Sequence, residues 1–250
     1  MERVAIHQLK DLDLRGSTLI DGFPSVGLVS SIVANYLVDV LGMEQIGIMD
    51  SPHFPTVTLV KDGVPLNPVR IYAGDSEGGK VVIFISEFQP LTNMINEIAV
   101  AVLDWARDQG CSLLICPEGL IVDREEGVEE RISVYGIGST PGAHKMLADH
   151  GVTIFEEGVI TGVAGVLLNE GRKRGFDVIS LLSEAHPDYP DARAAARVIE
   201  IVDRLLLRMD LDTGPLYEEA GRIEEQLKSI HRKAEGFKKP EGTPRPSMYG

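Results

Sequence analysis

Short apolar runs alternate with longer stretches whose apolar residues recur at helical spacing. The runs predict strands at Ser17–Ile20, Gln45–Met49, Thr56–Val60, Val69–Tyr72, Val81–Ser86, Ser112–Cys116, Ser133–Ile137, Gly158–Ile160 and Asp177–Leu182. The helical spacing predicts helices over Val26–Leu41, Leu91–Asp108, Pro141–His150, Gly162–Arg174, Tyr189–Leu207 and Pro215–Glu235. Strands crowd together early in the chain, which suits hairpins. Later they alternate with helices, which suits parallel βα units. The pattern predicts an α/β domain of three layers with a mixed sheet, over residues 1–209.

The last helix has a different pattern and is read as a separate segment, 210–237. Leu216, Ala220, Ile223, Leu227, Ile230, Ala234 and Phe237 alternate at spacings of four and three, with charged residues around them. So narrow a seam suits packing along one line, as between subunits, more than a broad docking face on a sheet. Packing onto the parent domain is the competing expectation. Asp212-Thr213-Gly214-Pro215 supplies a cap and a first-turn proline for this helix.

From Lys238 to the end, three prolines and one glycine before the last few residues deny the chain a helix or a regular strand. Residues 238–250 are expected to be a flexible tail, spanning up to roughly 40 Å when extended. It closes on Met248-Tyr249-Gly250, an apolar residue, a penultimate tyrosine and a carboxylate, where a frayed end would trail off in polar residues. That ending fits a plug for a partner's pocket, with the carboxylate offered to a cation. A frayed terminus whose last residues are incidental is the competing reading.

Composition narrows the partners. The net charge is −14, and six Lys/Arg against two Glu from Lys228 onward make the tail +4, leaving −18 on the body. An acidic body argues against nucleic acid. The basic tail suits an acidic protein. No apolar run reaches the roughly 20 residues that span a bilayer, and a cytoplasmic protein is expected. Cys111 and Cys116 are expected on opposite faces of one strand, roughly 16 Å apart and unable to bridge.

Candidate chemistry fails piece by piece. Gly22-Phe23-Pro24-Ser25-Val26-Gly27 joins a strand to a helix, but Leu28 and Val29 stand where a phosphate loop needs Lys and Ser/Thr. Phe23 likewise takes the first glycine position of a nucleophile elbow around Ser25. The better reading is a turn that lets helix and sheet pack closely, with Ser25 as a minor nucleophile candidate. Asp50 and His53 are read as a capped turn with the histidine partly buried or at a contact. His186-Pro187-Asp188 and Asp149-His150 have no second ligand pair at helical spacing. The acidic stretch Asp123–Glu130 lacks calcium-loop spacing and is read as a solvated loop. Neither Gly136-x-Gly138 nor Gly162-x-x-Gly165 completes a dinucleotide fingerprint. No catalytic set, cofactor or metal is expected.

Three stretches taken together carry a resemblance: Asp21–Val29 (DGFPSVGLV), Gly162–Glu170 (GVAGVLLNE) and Leu182–Asp191 (LSEAHPDYPD). The chain resembles the proteasome assembly chaperone 2 family, in particular its archaeal members, from about Gly16 to Leu207. Ser25 and Ser30 depart from the small glycines commoner there. The resemblance implies a phosphorylase/hydrolase-like α/β fold without that fold's catalytic residues, and fold alone licenses no activity. It also implies that Met248, Tyr249 and Gly250 match the hydrophobic-tyrosine-any motif with which proteasome activators enter pockets between 20S α-subunits. The function expected is therefore a non-enzymatic, ATP-independent assembly chaperone or adaptor, a homo-oligomer bound to the α-ring. The alternative is a phosphorylase- or hydrolase-like enzyme acting on a small phosphate or nucleoside ligand.

Overall fold

The computed structural model describes residues 4–121 and 132–222. Its elements in chain order are β1 (Ala5–Gln8), β2 (Thr18–Gly22), a tight helical turn (Val26–Leu28), α1 (Val29–Val40), β3 (Glu44–Asp50), β4 (Leu59–Lys61) and β5 (Val64–Leu66). Next come β6 (Val69–Ser76), β7 (Gly79–Ser86), α2 (Ile95–Asp108), β8 (Leu113–Ile121), β9 (Val134–Gly138), α3 (Pro141–Asp149) and β10 (Thr153–Ile154). The series ends with α4 (Gly162–Arg174), β11 (Val178–Ala185) and α5 (Ala192–Val202), which widens into a π-type turn at Asp203–Leu207. The backbone is helical again over 214–222.

Nine strands form one mixed sheet in the order β1-β3-β6-β7-β2-β8-β11-β9-β10. Its centre, β7-β2-β8-β11, is parallel throughout. An antiparallel meander, β1-β3-β6, joins it at β7; on the other side β9 runs antiparallel to β11, and β10 lies outermost, parallel to β9. The central strands are apolar on both faces because helices cover both. Leu19, Val82, Phe84 and Leu114 face α2 and α4. Ile20, Ile83, Ile115 and Ile179 face α1, α3 and α5. This is the three-layer α/β architecture with a mixed sheet that the pattern predicts.

Several boundaries differ from the prediction, for local reasons. The helix expected from Val26 is broken at its start, since Gly27 and Leu28 are left-handed at φ 60° and 52°. Helix α2 begins at Ile95 because residues from Leu91 first make a turn, the Met94 N–H donating to the Leu91 carbonyl at 2.8 Å. The segment at Gly158–Ile160 is irregular; Val159 is 83% exposed and pairs with no strand. The strand there is Thr153–Ile154, too short to leave a period-2 signal. Strands β1 and β5 also lack one, being short and mostly exposed.

Both cysteines are free and buried, and both belong to the layer covered by α2 and α4, not to opposite faces. Cys111 precedes β8, in the turn where its N–H donates to the Ala106 carbonyl at 2.8 Å. Strand alternation therefore does not govern it.

Candidate functional site

Strands β2 and β8 run side by side, Thr18–Ile20 opposite Leu113–Ile115. One step further along each strand, alternation carries Asp21 and Cys116 onto the α2/α4 face, with Glu118 two residues beyond Cys116. This is the carboxyl end of the parallel strands, where open α/β sheets place their ligands. Asp21 is 2% exposed, and its Oδ1 accepts the Phe23 N–H at 3.0 Å. Burial pushes its carboxyl up to about 7, against the Phe23 amide and the Cys116 thiol, which favour the charged form. Burial also drives Glu118 well above the usual carboxylate range, and the neighbouring Asp21 charge adds to it. Burial, then the Asp21 and Glu118 charges, hold the Cys116 thiol protonated, so it is no nucleophile.

What this arrangement can do chemically is retain a proton near neutral pH inside the sheet's end. Among the described residues no three His, Cys, Asp or Glu side chains are placed to share a metal ion. Sequence reasoning missed the pair. Its only signal was an acid at the apolar period of each strand, two places after Leu19 and two after Cys116.

The turn after β2 is built for packing. Gly22 lies where a Cβ would stand 2.5 Å from the Ala34 Cβ of α1 and 2.4 Å from the Phe84 carbonyl oxygen. The close-approach reading of this segment is therefore the one the fold uses. Ser25 accepts the Ser30 N–H at 3.2 Å, and their hydroxyls lie 3.0 Å apart. Ser30 itself is buried and donates to the Phe23 carbonyl. Gly27 is clasped from the far side, its carbonyl accepting the Asp191 N–H at 2.8 Å. Asp191 in turn accepts from the Ala194 N–H at 2.9 Å, capping α5, and from the His186 N–H at 3.0 Å.

The histidines are engaged elsewhere. His186 Nδ1 accepts the Asp188 N–H at 3.2 Å, and its ring stacks on Tyr189 at 4.1 Å. His150 Nδ1 bonds the Met146 carbonyl at 2.9 Å, at the end of α3. Asp50 accepts the N–H of its neighbour Ser51 at 2.8 Å, but the side chain that caps this turn is Ser51, whose Oγ accepts the His53 N–H at 3.2 Å, and His53 is exposed rather than partly buried. Among the described residues no hydrogen bond joins Ser25 to a histidine. Gly136 and Gly138 lie inside β9, under Leu147 and Ala143 of α3, and make no phosphate loop. The acidic stretch Asp123–Glu130 lies outside the described residues.

Two seam residues can be placed. Leu216 packs against the α1/α3/α5 layer, and Ala220 is 5% exposed. The approach to them is tied down at several points. Asp203 accepts the Met209 and Leu211 N–H groups at 2.8 and 2.9 Å, the Tyr36 hydroxyl donates to the Asp212 carbonyl, and the Tyr217 hydroxyl donates to Glu200. Ile223, Leu227, Ile230 and Ala234, together with Met248, Tyr249 and Gly250, lie outside the described residues.

A sequence model of the PAC2 family matches residues 19–231. Pyrococcus furiosus PbaA, described as an archaeal homolog of proteasome-assembly chaperone, is similar in structure at a TM-score of 0.81 and 32% identity, over 93% of each chain. Pyrococcus furiosus PbaB, described as an archaeal proteasome activator, is similar at a TM-score of 0.80 and 26% identity, over 92% of this chain and 100% of that one. The protein MJ0106 of Methanocaldococcus jannaschii is 26% identical over 219 residues, 88% of this chain and 87% of its own length.

Proposed function

The chain belongs to the PAC2 family, and on that footing we propose that it is a proteasome assembly chaperone or adaptor, non-enzymatic and ATP-independent. The observation that carries this reading is the match to PbaA and PbaB over nine-tenths of the chain or more. It acts as a cytoplasmic homo-oligomer and binds the 20S α-ring through Met248, Tyr249 and Gly250. The physical logic of the ending supports that mode: a carboxylate paired with a pocket lysine, an aromatic ring burying apolar area and a hydroxyl meeting a polar partner. One such tail binds weakly. Several tails on one oligomer gain by effective concentration, with residues 238–250 as the tether. The +4 charge of the tail would speed its encounter with an acidic partner.

The enzymatic alternative finds little support at Ser25, His53 and His186. Ser25 is bonded to Ser30, His53 is exposed on its own loop, and His186 is stacked on Tyr189.

Tyr249→Ala should abolish co-purification with 20S particles, while native mass spectrometry shows the oligomer unchanged. Undiminished 20S capture by this variant would sink tail docking. Capture by a chain cut after Glu235 would move the contact to the folded body.

A further inference from the structure

Between β3 and β6 the chain leaves the main sheet. Phe54 anchors the base of this excursion, 9% exposed and edge-on to Phe88 at 5.0 Å. Beyond it β4 and β5 form a two-stranded sheet of their own. The reversal is made by Asp62 and Gly63, both at positive φ (51° and 78°), as the commonest two-residue hairpin turn requires. An isolated hairpin of this kind is marginal in water, and three or more strands are needed for stability. This one also exposes Val60 and Val64, with Val60 at 71%.

Its two edges are not equivalent. The register pairs Lys61 with Val64, Val60 with Pro65 and Leu59 with Leu66. In a two-residue hairpin the pair flanking the turn exchanges hydrogen bonds, so the next pair aims its backbone groups outward. On β5 that residue is Pro65, which has no N–H to offer and blunts the edge. On β4 it is Val60, which offers both donor and acceptor. One edge is closed and the other is open.

We infer that the open β4 edge pairs antiparallel with the same edge of a second copy of this chain, about a two-fold axis through Val60. The Val60 N–H of each copy then donates to the Val60 carbonyl of the other, and two marginal hairpins become one four-stranded sheet. Charge selects the occupant. Between Ser51 and Pro68 the only formally charged residues are the adjacent Lys61 and Asp62, in a chain whose net charge is −14. Copies of so acidic a chain repel one another, and an uncharged surface is where that repulsion is least. The contact is small and is expected to be reversible. It concerns how copies meet, and stands whether or not the C-terminus binds a proteasome.

The test uses the full chain and two substitutions at this exposed position. Val60→Pro deletes the outward N–H, and native mass spectrometry should then show the wild-type particle split in two with its thermal midpoint retained. Val60→Cys, oxidised with diamide, should give a covalent dimer on a non-reducing gel. Directly opposed Cα atoms of a hydrogen-bonded pair lie about 5.5 Å apart, within disulfide reach. The wild-type chain should give none, since Cys111 and Cys116 are buried. A folded Val60→Pro variant of unchanged mass overturns the inference, as does failure of Val60→Cys to cross-link. If Val60→Pro does not fold, the cross-link alone decides. Loss of 20S capture by Val60→Pro without any cross-link from Val60→Cys would assign the edge to a foreign peptide and refute self-pairing. Because Tyr249→Ala is read by 20S capture and these variants by mass and cross-linking, the two proposals can fail separately.

Discussion

Asp21 holds its proton because water cannot reach it, and that couples folding to pH. Its carboxyl is raised in the folded protein to about 7, against about 4 in an unfolded chain. A raised acid favours the folded state while both forms are protonated, so its contribution is complete below about pH 4. That contribution is lost as the pH rises through about 7. Denaturant titrations from pH 4 to 8 should show stability falling across this window, by on the order of a few kcal/mol. Asp21→Asn should flatten the slope, because it removes the buried charge and relieves Glu118 beside it. A slope unchanged in this variant would mean that other groups set the dependence. At the same scale Ser25 is engaged by Ser30, and among the described residues no hydrogen bond joins it to a histidine.

Two elements depend on contacts that a single substitution can reach. Helix α5 starts where Asp191 caps it, and the same side chain holds the His186 N–H while its own N–H reaches Gly27. Asp191→Ala should cost about 1–2 kcal/mol from the lost cap, lowering the thermal midpoint by roughly 2–8 °C for a chain of this size. A midpoint equal to wild type would mean that the capping bond contributes nothing. Helix α1 and strand β2 meet at Gly22, whose missing Cβ lets Ala34 approach. Gly22→Ala drives a methyl into both the helix and the Phe84 carbonyl, and should cost about 1–3 kcal/mol in urea unfolding. Gly16→Ala is the instructive contrast: nothing lies within 4 Å of its added methyl, and only the positive φ of 75° resists it.

For the whole molecule, the described start of the C-terminal helix is fastened to the α/β body through Leu216, Tyr217 and Ala220. The length from there to Met248 sets how far a tail reaches from its own domain. On the proposal that one particle carries several tails, 20S capture should fall steeply rather than in proportion when Tyr249→Ala chains are mixed with wild-type chains. Titrating the mixture against 20S capture checks this, and a linear fall would mean that each tail binds by itself.

The apolar alternation was enough to predict three layers, hairpins early in the chain and parallel units later. Both helix bounds at Gly162–Arg174 were legible because they depend on neighbours a few residues away, and the close packing at Gly22 was legible from the strand–turn–helix context of its glycine. The family resemblance was legible because its motifs are contiguous. Tertiary structure alone decided what depends on strand order. Asp21 and Glu118 meet only because β2 and β8 are neighbours in the sheet, and Cys111 leaves its expected face only because the α2–β8 turn carries it back under the helix. The Thr56–Val60 run has the composition of a core strand, yet its last residues form the edge of an outlying hairpin. Local pattern records which side chains avoid water. Which strand lies beside which, and which edge stays open, is set by contacts between residues far apart in the chain.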